Sequence, residues 1–527
     1  MGSTNKIGGT VYLITLFIYL TLGCTLSNNS AAVSAIQGRI DNELIDLHAV
    51  TKNAKLNINF ERGYAALNQS SKAYVSSISP LILKEISSIS GNETKIVSSN
   101  SFDFLDTQGK RTDILKVKAE IDGKDIEERI EVRLSEKSET CLGIYLAGDN
   151  DLNGGRYNYS GSSDFVKKDL NELTKVTFND EKIQIILMLD RESVSDSEYS
   201  GTIFEDPGIF LIKNGEVVRI RRVEEPNMGK SETLTFFLNC MKDYCESDRK
   251  ILDIWSHGFS IFGVGFDQSH ENDSLTPYEI RKGIEESNLS RVDVLIFSAC
   301  LMMDLGVLGE LKDYVEAVTG SADSVPGDGS FYGNSGNRGI VGVIEDYSSS
   351  TSVDMAKAIC VANYESYFNK NQQNAYGDIY QFLTYSAVDQ SKADKVMSSL
   401  KELILDNSGE LRSSFFQLFS EFILNESVFY SCYDYSGTSN VGDVLDLGSF
   451  AYALSKSGNA KADALLQSIK EYIVEAKHIR AEPEFNEEHI GLGILFKYPE
   501  SNFGSYYINT NETYRNTGWN LLINPDN

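Results

Sequence analysis

Two short apolar runs, each followed by a small polar residue and then a reactive one, limit the fold of this chain more than any other feature. Residues 251–255 (ILDIW) run into the tripeptide SHG, and residues 292–297 (VDVLIF) run into SAC. Their length and content predict two β-strands. In an open parallel sheet, chemistry is usually sited at the carboxyl ends of the strands. We therefore expect His257 and Cys300 to meet at one sheet edge, where an imidazole beside a thiol suits nucleophilic acyl transfer.

The connection between these runs predicts a helix with a well-marked start. Thr276 is the expected N-cap, Pro277 takes the first helical position, and Glu279 completes a capping box. A strand, a helix and a strand in this order form a right-handed crossover, which makes the two strands parallel. Further apolar strands at 142–153 and 183–191, with a helical pattern between them, extend this α/β alternation.

The composition indicates an ordinary globular protein and excludes several function classes. Hydrophobic residues make up 41% of the 527 residues and charged residues 24%. A net charge of −28 with no basic stripe argues against nucleic-acid binding. The sequence has no CxxC pair, HExxH motif or phosphate loop, so zinc and nucleotide are not indicated.

The N-terminus predicts an export signal. Lys6 precedes an uncharged run over residues 7–22, which is too short and too early to read first as a membrane span. The run ends in Gly23-Cys24, which resembles a bacterial lipobox in which Cys24 becomes the lipidated first residue of the mature chain. The alternative is an ordinary cleaved signal peptide. Of the seven cysteines, most of those other than Cys24 and Cys300 are interpreted as small buried apolar residues.

The composition and the hydrophobic periodicity along the chain predict five parts. Residues 114–123 and 126–136 alternate apolar and polar residues around a turn and predict a β-hairpin. Helical patterns dominate after about residue 335, at 353–369, 393–405, 448–457 and 463–474. We therefore predict a signal peptide over 1–24, a tether over 25–34, a β-rich N-terminal module over 35–140, a catalytic domain over 141–365 and a helical C-terminal region over 366–527.

Six motifs in a fixed order support a family resemblance. They are Ala-Gly-Asp-Asn at 147–150, Asn-Met-Gly with Glu-Thr-Leu at 227–234, Trp-x-His-Gly at 255–258, Ala-Cys-Leu-Met at 299–302, Pro-Gly-x-Gly at 326–329, and Gly-Leu-x-Ile-x-Phe-x-x-Pro at 491–499. This set resembles the clostripain family of cysteine peptidases, relatives of caspases, gingipains and legumain. The resemblance implies a caspase-like α/β fold, with a mostly parallel sheet flanked by helices, and peptide-bond hydrolysis.

The resemblance assigns roles to the residues at the two strand ends. Cys300 would attack a peptide carbonyl, and His257 would protonate the leaving amine and then activate water. The backbone N–H groups of Gly258 and Cys300 are the expected oxyanion donors, because glycine allows close backbone approach. The helix expected directly after Cys300 would favour its thiolate.

The chain departs from the family pattern beside both catalytic positions. Ser256 precedes the histidine and Ser298 lies two residues before the nucleophile, where the family usually carries aspartates. The second of these acids lies near the pocket that accepts Arg or Lys before the cut bond, and a hydroxyl does not replace its charge. Asp328 is the remaining candidate acid, and its alternative is a turn residue between glycines. Ser256, Ser298 and Asp328 are therefore pocket candidates, and the preference for the residue before the cut (P1) stays open.

A cysteine–histidine pair requires no cofactor, and we assign no metal site. Some relatives use calcium, and oxygen ligands could come from Asp149, Asp151, Asp190 and Asp267. Turns at strand ends also favour aspartate, and this second interpretation is preferred here.

These observations predict an exported cysteine endopeptidase that acts on protein or peptide substrates. It would be held at a bacterial cell envelope by lipid on Cys24, or be secreted. The alternative, motivated by Ser256 and Ser298, is a non-catalytic surface lipoprotein that uses the same fold for binding.

Overall fold

The structure is a computed structural model. It describes residues 44–45, 57–60, 65–66, 70–76, 81–89, 91–105, 112–121, 123–135, 138–153, 164–191, 202–205, 207–213, 216–368, 382–406, 428–433, 440–456, 458–480, 490–497 and 502–523. The predicted signal peptide, the tether and Cys24 lie outside these residues. No helix within the described ranges is both long and apolar enough to cross a membrane.

The chain divides into two compact units, one of residues 1–137 with 242–246 and the other of residues 138–241 with 247–527. The first unit carries strands, as its alternating patterns predict. They are β1 (Leu44–Ile45), β2 (Asn57–Phe60), β3 (Ala65–Ala66), β4 (Ser70–Ser76), β5 (Leu81–Ser88), β6 (Glu93–Ile96), β7 (Ser101–Leu105), β8 (Thr112–Ile121) and β9 (Lys124–Ser135). The predicted hairpin is confirmed, because β8 and β9 pair antiparallel from Thr112↔Arg133 to Ile121↔Lys124.

The second unit is built on a mixed sheet of nine strands. The described strands of this unit, including five that lie outside the large sheet, are β10 (Ser138–Gly148), β11 (Ile183–Arg191), β12 (Gly208–Lys213), β13 (Glu216–Val223), β14 (Ser247–Trp255), β15 (Val264–Asp267), β16 (Asp273–Leu275), β17 (Val292–Ser298), β18 (Val315–Ser321), β19 (Phe382–Asp389), β20 (Val428–Tyr433), β21 (Asn440–Asp446), β22 (Ile473–Arg480) and β23 (Gly493–Lys497). The order across the sheet is β13-β12-β11-β10-β14-β17-β18-β19-β22. Its five central strands, β11-β10-β14-β17-β18, are parallel, and antiparallel pairs complete both edges.

Helices flank this sheet. In chain order they are α1 (Phe165–Lys175), α2 (Ser231–Tyr244), α3 (Pro277–Glu285), α4 (Leu305–Leu311), α5 (Gly339–Asp346), α6 (Ser352–Phe368), α7 (Ala393–Asp406), α8 (Leu447–Lys456), α9 (Ala460–Tyr472), α10 (Asn502–Thr510), α11 (Glu512–Thr517) and α12 (Trp519–Ile523). The apolar stripes of α1, α5 and α6 pack on the central strands in one buried core. Central strands buried on both faces explain the unbroken apolar runs in the sequence.

The C-terminal region is helical, as predicted, but it also contributes strands to the sheet. The pattern at 463–474 predicts one helix, whereas α9 ends at Tyr472 and the chain continues directly as β22. Other C-terminal residues hold the turn after Cys300. The Gly493 N–H donates to the Met303 carbonyl at 2.7 Å, and the Tyr514 hydroxyl donates to Asp304 at 2.9 Å. The region therefore supports the edge that carries His257 and Cys300.

Two cysteines also differ from their interpretation as simple buried apolar residues. Cys141 and Cys245 are both disulfide-bonded, although both are fully buried. Cys240 and Cys360 are free and buried, as expected of small apolar residues. Spacing alone did not identify this disulfide bonding, because contact in the fold, and not separation along the chain, decides which thiols can meet.

The capping box of α3 gives a stability test of the segment between the two strands. The Thr276 hydroxyl accepts from the Glu279 N–H at 3.3 Å, and the Glu279 carboxylate accepts from the Thr276 N–H at 3.0 Å. Thr276→Ala removes the cap, so we expect the free energy of unfolding in urea to fall by about 1 kcal/mol. Thr276→Ser keeps the hydroxyl and is the matched control. Equal loss in both variants would contradict this role of the cap.

Candidate active site

The register of β14 and β17 brings the two predicted residues to the same edge. Trp255 pairs with Ser298, so His257 and Cys300 each lie two residues beyond the last pair of parallel strands. A Cβ placed on Gly258 would lie 2.5 Å from the Cys300 carbonyl oxygen. Only glycine allows this approach, which keeps the backbone beside His257 against the backbone of Cys300.

His257 is held by a carboxylate that the sequence did not assign to it. Its Nε2 lies 2.7 Å from Asp151 Oδ1, and both side chains are partly exposed, at 24% and 43%. Asp151 opens a short 3₁₀ turn, Asp151–Asn153, three residues after the end of β10 at Gly148. A carboxylate on one ring nitrogen fixes the tautomer and the plane of the imidazole, and so assigns the other nitrogen to proton transfer.

The Cys300 thiol lies against the loop that follows β18. Its Sγ accepts from the Val325 N–H at 3.2 Å. Burial raises the pKa of Cys300 to about 11, and the Val325 N–H offsets this only in part. The expected helix directly after Cys300 is also wrong, because α4 begins only at Leu305. The resting thiol is therefore protonated at neutral pH, and no helix end favours the thiolate.

The backbone turns sharply immediately after the thiol. Leu301 has a φ of 61°, which is the left-handed region that a branched side chain rarely adopts. The Leu301 N–H donates to the Asp323 carbonyl at 3.1 Å, and the Met303 N–H donates to the Ser321 carbonyl at 3.1 Å. The hydrogen bonds to the neighbouring strand end compensate for the strain and fix where Cys300 points.

Ser298 lies above a buried acid that the sequence analysis did not single out. The Ser298 hydroxyl donates to Asp253 Oδ2 at 3.1 Å and lies 2.7 Å from Ser330 Oγ. The Tyr332 hydroxyl donates to the same carboxylate at 2.9 Å. Asp253 Oδ1 has no hydrogen-bond partner among the described residues. Burial raises the pKa of Asp253 to about 7 despite the two hydroxyl donors.

The other two pocket candidates are engaged elsewhere. Ser256 Oγ accepts from Asn150 Nδ2 at 3.3 Å, which ties the strand end of His257 to the end of β10. Asp328 Oδ1 forms an ion pair with Lys168 Nζ of α1 at 2.5 Å. The turn around Asp328 is closed by the Gly329 N–H, which donates to the Pro326 carbonyl at 3.1 Å.

A second group of carboxylates meets at the neighbouring strand ends. One carboxylate oxygen each from Asp149, Asp190 and Glu225 lies within 4.8 Å of the others. Asp267 is close but bonded, because it accepts from the Met228 N–H at 2.9 Å and lies 3.0 Å from His270 Nδ1. Of the four oxygen ligands that the sequence suggested, the structure thus groups Asp149 with Asp190 and turns Asp151 towards His257. Glu225 was missed, although its position just after β13 is the same strand-end signal.

Comparisons with known proteins give one family and one fold. Residues 144–522 match the family model of the Clostripain family, peptidase C11. A secreted C11 cysteine protease from Bacteroides thetaiotaomicron, solved with an irreversible peptide inhibitor, superposes with a TM-score of 0.51, at 16% identity over 72% of this chain and 99% of its own. An inactive zymogen C11 protease from Parabacteroides distasonis gives a TM-score of 0.51, at 16% identity over 72% and 98%. A search of curated proteins returned no match. At this identity the solved structures show the fold alone, and they confirm the predicted caspase-like architecture.

We expect Asp253→Asn to raise the free energy of unfolding at neutral pH and to raise it less at acidic pH. The folded protein keeps a proton on Asp253 up to a pKa of about 7, whereas the unfolded chain releases it near pH 4. The native protein therefore loses stability as the pH rises from about 4 to about 7, and this loss persists above pH 7. Asparagine does not titrate, and its oxygen still accepts from Ser298 and Tyr332.

The measurement is urea unfolding of both proteins between pH 5 and pH 8. The advantage of the variant should grow by roughly 2 kcal/mol over this range. Asp394→Asn, at a side chain that is 79% exposed, is the control and should show no such trend. A difference that does not change with pH would show that Asp253 is not a buried titrating group.

Proposed function

The chain belongs to the clostripain family of cysteine peptidases, and we propose that it is an exported cysteine endopeptidase that uses Cys300 as nucleophile and His257 as general acid and base. The main support for the proposal is that His257 and Cys300 follow neighbouring parallel strands at the same edge of the sheet. The β14–β17 register and the close approach at Gly258 hold the imidazole and thiol positions together, and Asp151 orients the ring.

The first half of the reaction is acylation. Cys300 Sγ forms a bond to the substrate carbonyl carbon while its proton passes to His257. Because the thiol pKa is about 11, proton transfer accompanies the attack and no resting ion pair is required. The N–H groups of Gly258 and Cys300 donate to the developing oxyanion. His257 then protonates the leaving amine as the C–N bond breaks, which leaves a thioester.

The second half returns the enzyme to its starting state. His257 takes a proton from water as its oxygen attacks the thioester carbonyl. The C–S bond then breaks, the thiol regains its proton, and the carboxylic acid product leaves. Asp151 Oδ1, 2.7 Å from Nε2, accepts a hydrogen bond from the imidazole ring and keeps it oriented in both halves.

For the P1 pocket, we propose that Asp253 takes the place of the acid that Ser298 lacks. Its Oδ2 lies 3.1 Å from the Ser298 hydroxyl. The Asp253 carboxylate is therefore separated by one hydrogen bond from Ser298, the position at which the family usually carries an aspartate. Its Oδ1 has no partner within the described part of the chain. Asp328 is less suitable, because Lys168 already neutralises it. A P1 Arg or Lys would pair with ionised Asp253 through the pocket floor.

The disulfide-bonded cysteines support the proposed export. Disulfides persist in oxidising compartments outside the cytosol, and Cys141 and Cys245 are both bonded. With the apolar run that ends at Cys24, this favours a mature chain at the bacterial cell envelope, anchored by lipid on Cys24, or in the medium. The tether over residues 25–34 would then separate the anchor from the folded units.

The experiment profiles cleavage of a mixed peptide library by the chain lacking residues 1–34, beside the same chain with Cys300→Ala. We expect cutting only where Cys300 is intact, with Arg or Lys before the cut bond. The ratio of basic to neutral P1 products should rise between pH 5.5 and pH 7.5 as Asp253 ionises. This ratio does not depend on the bond-breaking steps, which are the same for every substrate.

Asp253→Asn tests the P1 pocket without changing the proposed catalytic residues. The variant should still cut but lose about tenfold in its basic preference, which corresponds to about 1.4 kcal/mol. An unchanged P1 preference would show that Asp253 does not act in the pocket, but it would not contradict the proposed peptidase activity. Equal patterns for the wild-type and Cys300→Ala chains, under reducing conditions and with or without calcium, would instead favour the non-catalytic lipoprotein that binds through this fold.

A further inference from the structure

A buried carboxylate, Asp304, lies between the loop that carries His257 and the turn that carries Cys300. Asp304 is fully buried and is the N-cap of α4. Its Oδ1 accepts from the Gly306 N–H at 2.7 Å and from the Tyr514 hydroxyl at 2.9 Å. Burial raises the pKa of Asp304 to about 6. Burying an ionisable group is costly, and folds retain such groups mainly where they are used.

The loop that follows His257 approaches this carboxylate through Ser260. Ser260 opens a 3₁₀ turn, Ser260–Phe262, and has a φ of 53°, which is a strained value for a residue other than glycine. Ser260 Oγ and Asp304 Oδ2 are both buried, and neither has a partner in hydrogen-bonding geometry within the described ranges. The Ser260 hydroxyl still lowers the pKa of Asp304, so the two groups lie near each other. Each is therefore the available partner of the other.

The 3₁₀ turn, the start of α4 and the C-terminal helices also pack closely together at Gly306. A Cβ placed on Gly306 would lie 2.6 Å from Ile261 Cγ2 and 2.7 Å from the Tyr514 ring. Larger residues at this position would push the segments apart. The Phe262 ring also contacts the Tyr507 ring of α10, with the centroids 5.5 Å apart. The start of α4 is thus enclosed by the 3₁₀ turn on one side and by C-terminal residues on the other.

The Tyr514 hydroxyl that binds Asp304 is itself fixed by two C-terminal elements. It accepts from the Leu495 N–H of β23 at 2.9 Å. At the start of α11, Asn511 Oδ1 accepts from the Tyr514 N–H at 3.0 Å, and Asn511 Nδ2 donates to the Gly306 carbonyl at 3.0 Å. Tyr514 is fully buried, so water cannot easily replace its hydroxyl. Asp304 is therefore held from the C-terminal side by a rigid donor.

We propose that Asp304 is a positioning residue that couples the two catalytic loops, with Ser260 and Tyr514 as its partners. The Ser260 hydroxyl holds the loop that carries the Gly258 N–H, and the Asp304 backbone continues the turn that begins at Cys300. Asp304 thereby sets the spacing of the two proposed oxyanion donors, which act only at about 2.7–3.1 Å from the oxyanion. Misplaced donors lower kcat and leave substrate binding unchanged. This consequence rests on the proposed peptidase function, whereas the coupling of the loops does not.

The kinetic test is a double-mutant cycle in the full chain. Ser260→Ala removes the hydroxyl on one side of Asp304, and Tyr514→Phe removes the hydroxyl on the other side. Each change alone should lower kcat about tenfold, with KM changed less than about twofold. Because both changes act through Asp304, kcat of the double variant should equal that of the poorer single variant. Losses that multiply to about a hundredfold, or unchanged kcat in either single variant, would overturn the proposal.

The controls separate positioning from general loss of structure. Asp304→Asn keeps an oxygen for the Gly306 N–H and the Tyr514 hydroxyl and gains an amide that can donate to Ser260. It should therefore retain most of the kcat that Asp304→Ala loses. Tyr506→Phe, at a ring of α10 that is 64% exposed, should leave kcat unchanged. Thermal unfolding of each variant verifies that it is folded at the assay temperature.

Amide hydrogen exchange, followed by mass spectrometry, tests the coupling without any measurement of activity. Tyr514→Phe should speed exchange in residues 257–262 as well as in residues 300–306, and Tyr506→Phe should speed it in neither. Faster exchange in residues 300–306 alone would overturn the coupling, even in a chain that cuts peptides. Faster exchange in both segments of a chain that cuts no peptide would support the coupling and reject the peptidase instead.

Discussion

The parallel pairing of β14 with β17 is the constraint on which the site depends. Both strands are buried on both faces near their carboxyl ends, so their register is fixed by packing on each side. A slip of one residue would send either His257 or Cys300 to the opposite face of the sheet. The same register places Ser298 beside Asp253, so one strand pairing sets the positions of both the proposed catalytic pair and the proposed pocket acid. The C-terminal hydrogen bonds to Met303 and Asp304 then hold the turn beyond Cys300.

Buried carboxylates lie near the sheet edge that carries His257 and Cys300. Burial raises the pKa of Asp253, and burial with the neighbouring Glu225 and Asp267 charges raises the pKa of Asp190 well above its usual range. Groups with such shifts destabilise the folded chain at neutral pH, and functional sites are where folds retain them. A basic P1 side chain of the substrate at Asp253 would offset that penalty in the proposed complex. Asp253, when ionised, is thus complementary to the basic side chain that it is proposed to bind.

Sequence reasoning succeeded where the signal is local. The apolar runs, the capping box and the hairpin of β8 and β9 are each encoded within a few neighbouring residues, and all were predicted. It failed where separate segments must meet. Asp151 reaches His257 from 106 positions away, and Asp253 reads as a lone acid inside an apolar strand. Glu225 lacks a motif of its own. The high pKa of Cys300 comes from burial, which the residues following Cys300 do not reveal. The join of α9 and β22 has no Gly or Pro to mark it.

The proposed function depends on Cys300 being a nucleophile that His257 activates. The most direct measurement treats the chain with a peptidyl chloromethyl ketone at pH 7 and locates the adduct by mass spectrometry of its proteolytic fragments. We expect one adduct, on Cys300, and its near loss in His257→Ala, because burial keeps the thiol protonated at this pH unless a base removes its proton. Labelling of Cys240 or Cys360 instead, or equal labelling of Cys300 in both proteins, would contradict it.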